Sequence, residues 1–512
     1  MRSINKEILK LAIPSILANI TVPIVGMVDV AVAGHLTGEV ATMIGGIAIG
    51  TMLFDLLYWN FGFLRVGTGG LAAQAYGRRD NKECARILTR ALGISLAFAL
   101  VLIAIQWVFV KASFMVVDCT PEVQELASRY FYIRIWAAPA TLSLMAFKGW
   151  FIGMQDSVSP MVTDFVVNGM NILMSIVLAL GIPAAGSSIL SAGSSVVSAG
   201  SSVVSAGSSV VSAGSSVVSA GSSVVADGQS WLLRPLGFTG IAWGTVIAQY
   251  SGLLIATVLL LCKYFRRVFA DFHLTEFKGM FTGQETRRFF VMNTDLFIRS
   301  LCFIAIYIGF TTISAGFGDL LLAVSSIMMK LLMIFSYFTD GFAYAGEALT
   351  GKYIGAGDRP MLRQSIRWTF IWSMAIALIF IGIYHFAGVP MLRMMTSDVA
   401  VVEQSKEFLP WLLLMPVIGC AAFTWDGIYI GATASKHIRN AMLWAVVAFA
   451  GVWAAGVWIA SVWVAGVWAA DVLMVGECNK VLAMHILMAA YFAHLLARTI
   501  YLSVKYPRTF GG

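Results

Sequence analysis

Charge is what this chain has least of. Of 512 residues only 12% are Asp, Glu, Lys or Arg, against about 25% in a soluble domain. With 59% hydrophobic residues beside that scarcity, a soluble globular enzyme is excluded and a lipid bilayer is the expected surrounding. The net charge of +8 does not point to nucleic acid, because the basic residues gather in a few short segments. Cysteine and histidine are equally sparse, six of each. Cys84, Cys119, Cys262, Cys302, Cys420 and Cys478 show no C-x-x-C or metal-ligand spacing, so neither a zinc module nor a disulfide scaffold is expected, only buried thiols. The histidines show no paired ligand spacing, and His485 and His494, nine apart, face opposite ways on a helix. A phosphate loop is missing too. Gly346-x4-Gly351-Lys352 is followed by Tyr353, where Ser or Thr must hold magnesium. No enzyme, no cofactor and no metal cluster is expected.

What is abundant is the long apolar run. The first, from Ile8 to about Leu36, contains Pro14, Pro23 and one acid, Asp29. Some 25 such residues cross a core of roughly 30 Å, and two prolines should bend the span. Ala31-Val32-Ala33 mimics a signal-peptidase site, but Asp29 interrupts a run that is too long for a signal peptide, so a retained first span is expected. Twelve helical spans follow from such runs, near 8–36, 44–72, 88–110, 124–153, 160–181, 239–262, 289–314, 319–352, 366–388, 407–432, 440–470 and 481–503. Lys and Arg cluster before span one and after spans two, six, eight, ten and twelve, whereas the opposite loops hold little beyond Lys111, Arg234, Arg393, Lys406 and Lys480. The positive-inside rule therefore places both termini in the cytoplasm.

The chain divides into residues 1–265, a basic linker 266–288 and residues 289–512, with six spans in each half. Gly77-x-x-Asp80 has a counterpart in Gly355-x-x-Asp358, and Phe151-Ile152-Gly153 with Ser157 has one in Tyr429-Ile430-Gly431 with Ser435. The differences 355 − 77 and 431 − 153 both give 278. Two parallel repeats with a cavity between them are the signature of a transporter. Two tracts break the pattern. Residues 187–228 are six near-copies of SSVVSAG in the loop between spans five and six, read as a tolerated insertion. Residues 451–470 are four copies of a GVWAA-type unit. Its period of five spreads Trp453, Trp458, Trp463 and Trp468 around the helix, as suits a lipid-facing span.

Within the spans lie Asp29, Asp55, Asp164, Asp295, Asp340, Glu347 and Asp426. Ionisable groups there are costly and are functional candidates by default, the competing reading being a structural ion pair. Asn293, Asp295 and Arg299 share span seven, with Asp295 and Arg299 at i, i+4. Asp340 and Glu347, seven apart, share one face of span eight. Asp164, Asn168, Asn171 and Ser175 step by 4, 3 and 4 into one polar stripe of span five.

Val28-Asp29-x-Ala31-x-x-Gly34-His35-Leu36, Phe63-Leu64-Arg65 with Gly70-Leu71-x-Ala73-Gln74-Ala75-Tyr76-Gly77, Asp340-Gly-Phe-Ala-Tyr344-Ala-x-Glu347-Ala and Asp426-Gly-x-Tyr-Ile-Gly431-Ala-Thr resemble the multidrug and toxic compound extrusion (MATE) family. Within it they are most similar to the branch of DNA-damage-inducible F (DinF) proteins. The resemblance covers nearly the whole chain outside the two repeat tracts. It implies an all-α membrane protein of two pseudo-symmetric six-helix bundles that expels small organic, often cationic, compounds in exchange for H⁺ or Na⁺. It further implies that Asp29 is the proton site of the N-terminal bundle, with Asn171 and Thr245 as polar neighbours, and that Asp295 and Asp426 match the acids of spans seven and ten. Oxygen ligands from that pair would suit Na⁺. One departure stands out: where the family often has a second aspartate in span five, this chain has Ser175. Asp29 then lacks a like-charge partner, and the C-terminal cluster becomes a rival coupling site. A monomer in the inner membrane is expected. A flippase of lipid-linked precursors, with Arg65, Lys148, Arg299 and Lys330 as its cavity cations, and a non-transporting scaffold are the alternatives.

Overall fold

The structure, a computed structural model, describes residues 2–33, 40–115, 117, 119–183, 231–233, 235–269, 284–396, 398–465 and 477–510. The heptapeptide tract 187–228 lies outside them, as do His35 and residues 466–470 of the pentapeptide tract. Among the described residues eleven helices are long and apolar enough to cross a membrane. The twelfth span is α1 (Arg2–Ala33), which stays helical through Pro14 and Pro23. Two hydroxyls turn back onto its backbone, Ser15 to Leu11 O at 2.9 Å and Thr21 to Ala18 O at 2.7 Å.

Span two is two helices, α2 (Val40–Trp59) and α3 (Gly62–Gly77), rather than one. The break falls at Asn60-Phe61-Gly62, where Asn60 donates back to Leu56 O at 2.7 Å and both Asn and Gly are poor helix formers. Span three is α4 (Asn81–Ser113). Span four is α5 (Pro121–Arg134) and α6 (Ala138–Gly153), joined by a 3₁₀ turn at Ile135–Ala137. Pro139, with no N–H to give to the preceding turn, explains the tightening. Spans five and six are α7 (Val158–Leu180) and α8 (Phe238–Val268). Between them a short antiparallel ribbon, β1 (Ile182–Pro183) on β2 (Trp231–Leu233), brackets the repeat tract.

The second half repeats the first. Spans seven to ten are α9 (Gln284–Ala315), α10 (Asp319–Ala356), α11 (Arg359–Met395) and α13 (Leu409–Gly431). Spans eleven and twelve are α14 (Ser435–Ala465) and α15 (Glu477–Phe510). The short α12 (Val399–Lys406), capped by Asp398 on Ala400 N at 2.8 Å, has no apolar run to announce it. The fold is thus all-α, twelve spans in two pseudo-symmetric six-helix bundles.

The offset of 278 holds atom by atom. Asp80 Oδ1 caps α4 by accepting from Glu83 N at 3.0 Å, and Asp358 Oδ1 caps α11 by accepting from Met361 N at 3.0 Å. The left-handed residues that end the preceding helices also correspond: Arg79 (φ 59°) with Gly357 (φ 71°), and Gln155 (φ 64°) with Thr433 (φ 54°). Helix contacts obey the same rule. A Cβ on Gly149 would stand 2.0 Å from Arg65 O, and one on Gly427 2.1 Å from Ala343 O. These two glycines let spans two and four, and spans eight and ten, touch backbone to backbone.

The core follows the bundles, one apolar cluster through the first half and its junction with the second, another inside the second half. Lipid-facing positions are apolar as well; Trp458 is 67% exposed, in keeping with the expected outward repeat. Trp453 departs from it by packing on Phe317. The cysteines are not uniformly buried: Cys84, Cys302 and Cys420 are, whereas Cys119 is half-buried and Cys262 exposed on span six.

Candidate transport site between the bundles

The two bundles are shut against each other on the face that carries both termini. Gly77 and Gly355 meet the opposite half: a Cβ on either would lie 2.1 Å from a backbone oxygen, Lys352 O and Gln74 O respectively. Gln74 of span two donates to Gly431 O at 3.0 Å and to Thr433 Oγ1 at 3.1 Å, both at the end of span ten. Its counterpart contact is Gln155 donating to Ala348 O at 2.7 Å. Lys352 adds an ion pair to Glu7 at 2.8 Å. On the far side the halves touch through rings, Trp59 against Phe303 and Tyr307. There Asp55 is exposed although it sits in a span, within electrostatic reach of Arg134, Tyr307 and Tyr337.

In the N-terminal bundle Asp29 is buried between spans one and five. Its Oδ1 accepts from Ser175 Oγ at 3.0 Å. The intimate packing of span six on span five fixes that serine, since a Cβ on Gly244 would lie 2.7 Å from Ser175 N. Each member of the polar stripe of span five has its own partner. Asp164 pairs with Lys148 at 2.6 Å, Asn168 donates to Thr21 Oγ1 at 2.5 Å, and Asn171 donates to Thr245 Oγ1 at 3.0 Å. So Asn171 and Thr245 bond each other, and among the described residues Ser175 alone bonds Asp29. Among the described residues no cation stands within ion-pair distance of Asp29. Arg134 of span four acts on it from farther away, donating to Tyr130 Oη at 3.1 Å and lying over the Phe54 ring at 4.8 Å.

The C-terminal bundle differs. Asp295 does not pair with Arg299, as the i, i+4 spacing suggests. It accepts from Arg439 at 2.6 Å and Ser435 at 2.7 Å, both on span eleven. Arg299 goes instead to Asp426 at 2.9 Å, and Asp426 also accepts from Arg498 of span twelve. The two acids expected to share a Na⁺ therefore each pair with guanidinium groups of their own. Asp340 is half-buried and faces the charges of Arg65, Arg299 and Arg498. Glu347, fully buried, pairs with Arg65 of the other bundle at 3.4 Å, and that guanidinium lies 4.3 Å over the Tyr344 ring. Asn293 donates to Phe289 O at 2.8 Å, with its oxygen under Gly67 of span two. Removing one partner of a buried pair strands the other's charge, at about 3–5 kcal/mol. Glu347→Gln should accordingly lower the thermal midpoint of the purified protein by several degrees more than Glu122→Gln, an exposed control.

Among the described residues no group of three or more His, Cys, Asp or Glu side chains is placed to hold a metal. His485 bonds Trp411 and His494 bonds Tyr491 O, each on its own. Sequence reasoning missed Arg134 and Arg498, although an arginine inside a predicted span was the available signal. It also read Arg439 as a loop charge.

A family model described as MatE matches residues 14–177 and 296–466, one stretch in each half and together well over half of the chain. The chain belongs to the MATE family. It lies on the DinF-like side of it, being 30% identical over 452 residues to DNA damage-inducible protein F of Escherichia coli (strain K12), which covers 88% of this chain and 85% of that one. A probable multidrug resistance protein NorM of Photorhabdus laumondii is 21% identical over 449 residues, 86% of this chain and 84% of the relative. Among solved structures, an outward-facing multidrug resistance MATE transporter of the MOP superfamily superposes with a TM-score of 0.75, at 14% identity over 99% of this chain and 96% of that one. The straight conformation of a MATE transporter gives 0.73, at 13% identity over 99% and 97%. This MATE chain is a multi-pass membrane protein of an efflux family, whose members extrude small organic compounds and are transporters rather than enzymes.

Proposed function

We propose that the chain is an antiporter that expels small organic cations in exchange for protons, with Asp29 as the coupling carboxylate. One observation carries this reading: of Asp29, Asp295 and Asp426, only Asp29 has no cation within ion-pair distance among the described residues. A carboxylate already held by guanidinium groups has little left to offer a drug cation or Na⁺. Among the described residues Asp29 has only the Ser175 hydroxyl, which donates to the carboxylate and, by rotating, accepts from the carboxylic acid. Ionised, the buried Asp29 attracts a cation in poorly screened surroundings. Protonated, Asp29 no longer does, and the cation leaves. Exchange follows if the two charge states of Asp29 favour different packings of span one. The chain works as a monomer in the inner membrane, its termini cytoplasmic.

Inverted membrane vesicles test this with separate gradients. An imposed pH gradient, acidic inside, should drive uptake of a fluorescent organic cation at equal Na⁺. A Na⁺ gradient at equal pH should not. Uptake driven by Na⁺ alone would overturn the proton assignment and return the C-terminal acids to the coupling role.

A further inference from the structure

On the closed face, a cavity of about 310 Å³ opens between spans seven, ten, eleven and twelve, away from the transport site. Its walls carry Arg288, Lys436 and Arg508, and no acidic residue among the described ones lines it. Lys505 acts on His437 from beside the cavity as a fourth cation. The 31-residue helix α14 begins in its wall at Ser435. The positive end of a helix dipole favours an anion there; of its first N–H groups, that of His437 is taken by Ala434 O at 3.0 Å. Ala434, just before the helix, has no side-chain acceptor to cap those groups. Ser435 does not cap them either, because its hydroxyl goes to Asp295, whose charge Arg439 already balances.

Two further observations point to a ligand. Among the described residues, the buried Nδ1 atom of the half-buried His437, in the cavity wall, has no hydrogen-bond partner. Arg288 spends one nitrogen on Gln74 Oε1 at 3.1 Å and Thr433 Oγ1 at 2.7 Å, and among the described residues its other donors remain for a guest. The lining also includes apolar Val291, Met292 and Ala434, with Val291 44% exposed. Three cations, a helix start without a side-chain cap and a partly apolar lining suit a compact multiply charged oxyanion attached to, or dissolved beside, a membrane.

We propose that this cavity binds a phosphate group, presented either by an anionic lipid headgroup or as free phosphate. Because Arg288 and Thr433 also belong to the contacts that shut the two bundles, the site is whole only in the shut arrangement. The inference does not depend on which ion drives transport.

The test uses the full chain, purified in neutral detergent, with its thermal midpoint followed as ligand is added. A ligand that binds only the folded protein raises that midpoint saturably. Phosphatidylglycerol, phosphatidylcholine and inorganic phosphate are titrated separately into wild type, Lys436→Gln/Arg508→Gln, and a charge-matched control from the same face, Lys82→Gln/Arg359→Gln. The expected result is a saturable rise with phosphatidylglycerol but not phosphatidylcholine. The apparent affinity should fall at least about tenfold in the first variant and stay unchanged in the control. If inorganic phosphate alone gives the same variant-sensitive rise, the site stands and its source is free phosphate. Should Lys436→Gln/Arg508→Gln fold poorly, Lys436→Arg/Arg508→Lys keeps the charge and should keep the response. Equal responses in the first variant and the control, or no response to either phosphate source, would overturn the site.

Discussion

Asp29→Asn is expected to reduce exchange to the level of vesicles lacking the protein, while expression and thermal midpoint stay close to wild type. The amide has the shape of the acid and can still bond Ser175 Oγ, now 3.0 Å from Asp29 Oδ1, but it cannot ionise. No ion pair is broken among the described residues, because Asp29 has none within ion-pair distance; only its longer-range attraction to Arg134 is lost. Asp426→Asn should behave in the opposite manner. It leaves Arg299 and the almost fully buried Arg498 without their carboxylate, a loss of about 3–5 kcal/mol for a broken buried pair. Its main effect is then on stability and yield, with residual exchange per folded molecule. Measuring both thermal midpoint and transport separates the two variants. An inactive, stable Asp426→Asn beside an active Asp29→Asn would reverse the assignment.

The second large effect concerns closure of the face that carries the termini. Gly355 and Gly77 each face a backbone oxygen of the other half at a distance no Cβ tolerates, 2.1 Å in both cases. Gly355→Val therefore forces spans two and eight apart. Overpacking of this kind costs typically about 1–3 kcal/mol. Two transport states commonly differ by only a few kcal/mol, so the shut state should lose about tenfold or more of its population. Transport should fall severely with the fold retained. Gly149→Val meets its obstruction at Arg65 O inside the first bundle, so it should impair folding rather than closure. Alkylation of a cysteine introduced at Ala348, applied from the side of the termini, reports the difference. The label should enter Gly355→Val faster than the parent, and no change would show that these glycines do not set closure.

The spans were legible because a bilayer demands long apolar runs, and all twelve emerged as helices, the expected ends of spans one and eleven lying outside the described residues. The break in span two was not, since Asn60-Phe61-Gly62 lies within a run that remains apolar overall. The internal repeat was visible as a shared offset of 278, and the caps at Asp80 and Asp358 give that offset a physical cause. Pairing was harder to read. Spacing along one helix puts Arg299 beside Asp295, yet a long arginine in a bundle answers to whichever carboxylate the neighbouring helices present. Here Arg439 and Arg498 come from spans eleven and twelve, at 144 and 72 residues from the acids they serve. No local pattern encodes such distances. Ser175 is an intermediate case: its place in the stripe was readable, and its bond to Asp29 needed the packing of spans one and five.

Proton release on substrate binding tests the central claim most directly. Purified protein in weakly buffered detergent solution is mixed with a lipophilic quaternary cation, and a pH indicator follows the medium. Wild type should release protons as the cation binds, Asp29→Asn should release none, and Asp295→Asn should still release them in proportion to the protein that remains folded. Release from Asp29→Asn equal to that of wild type would contradict the account.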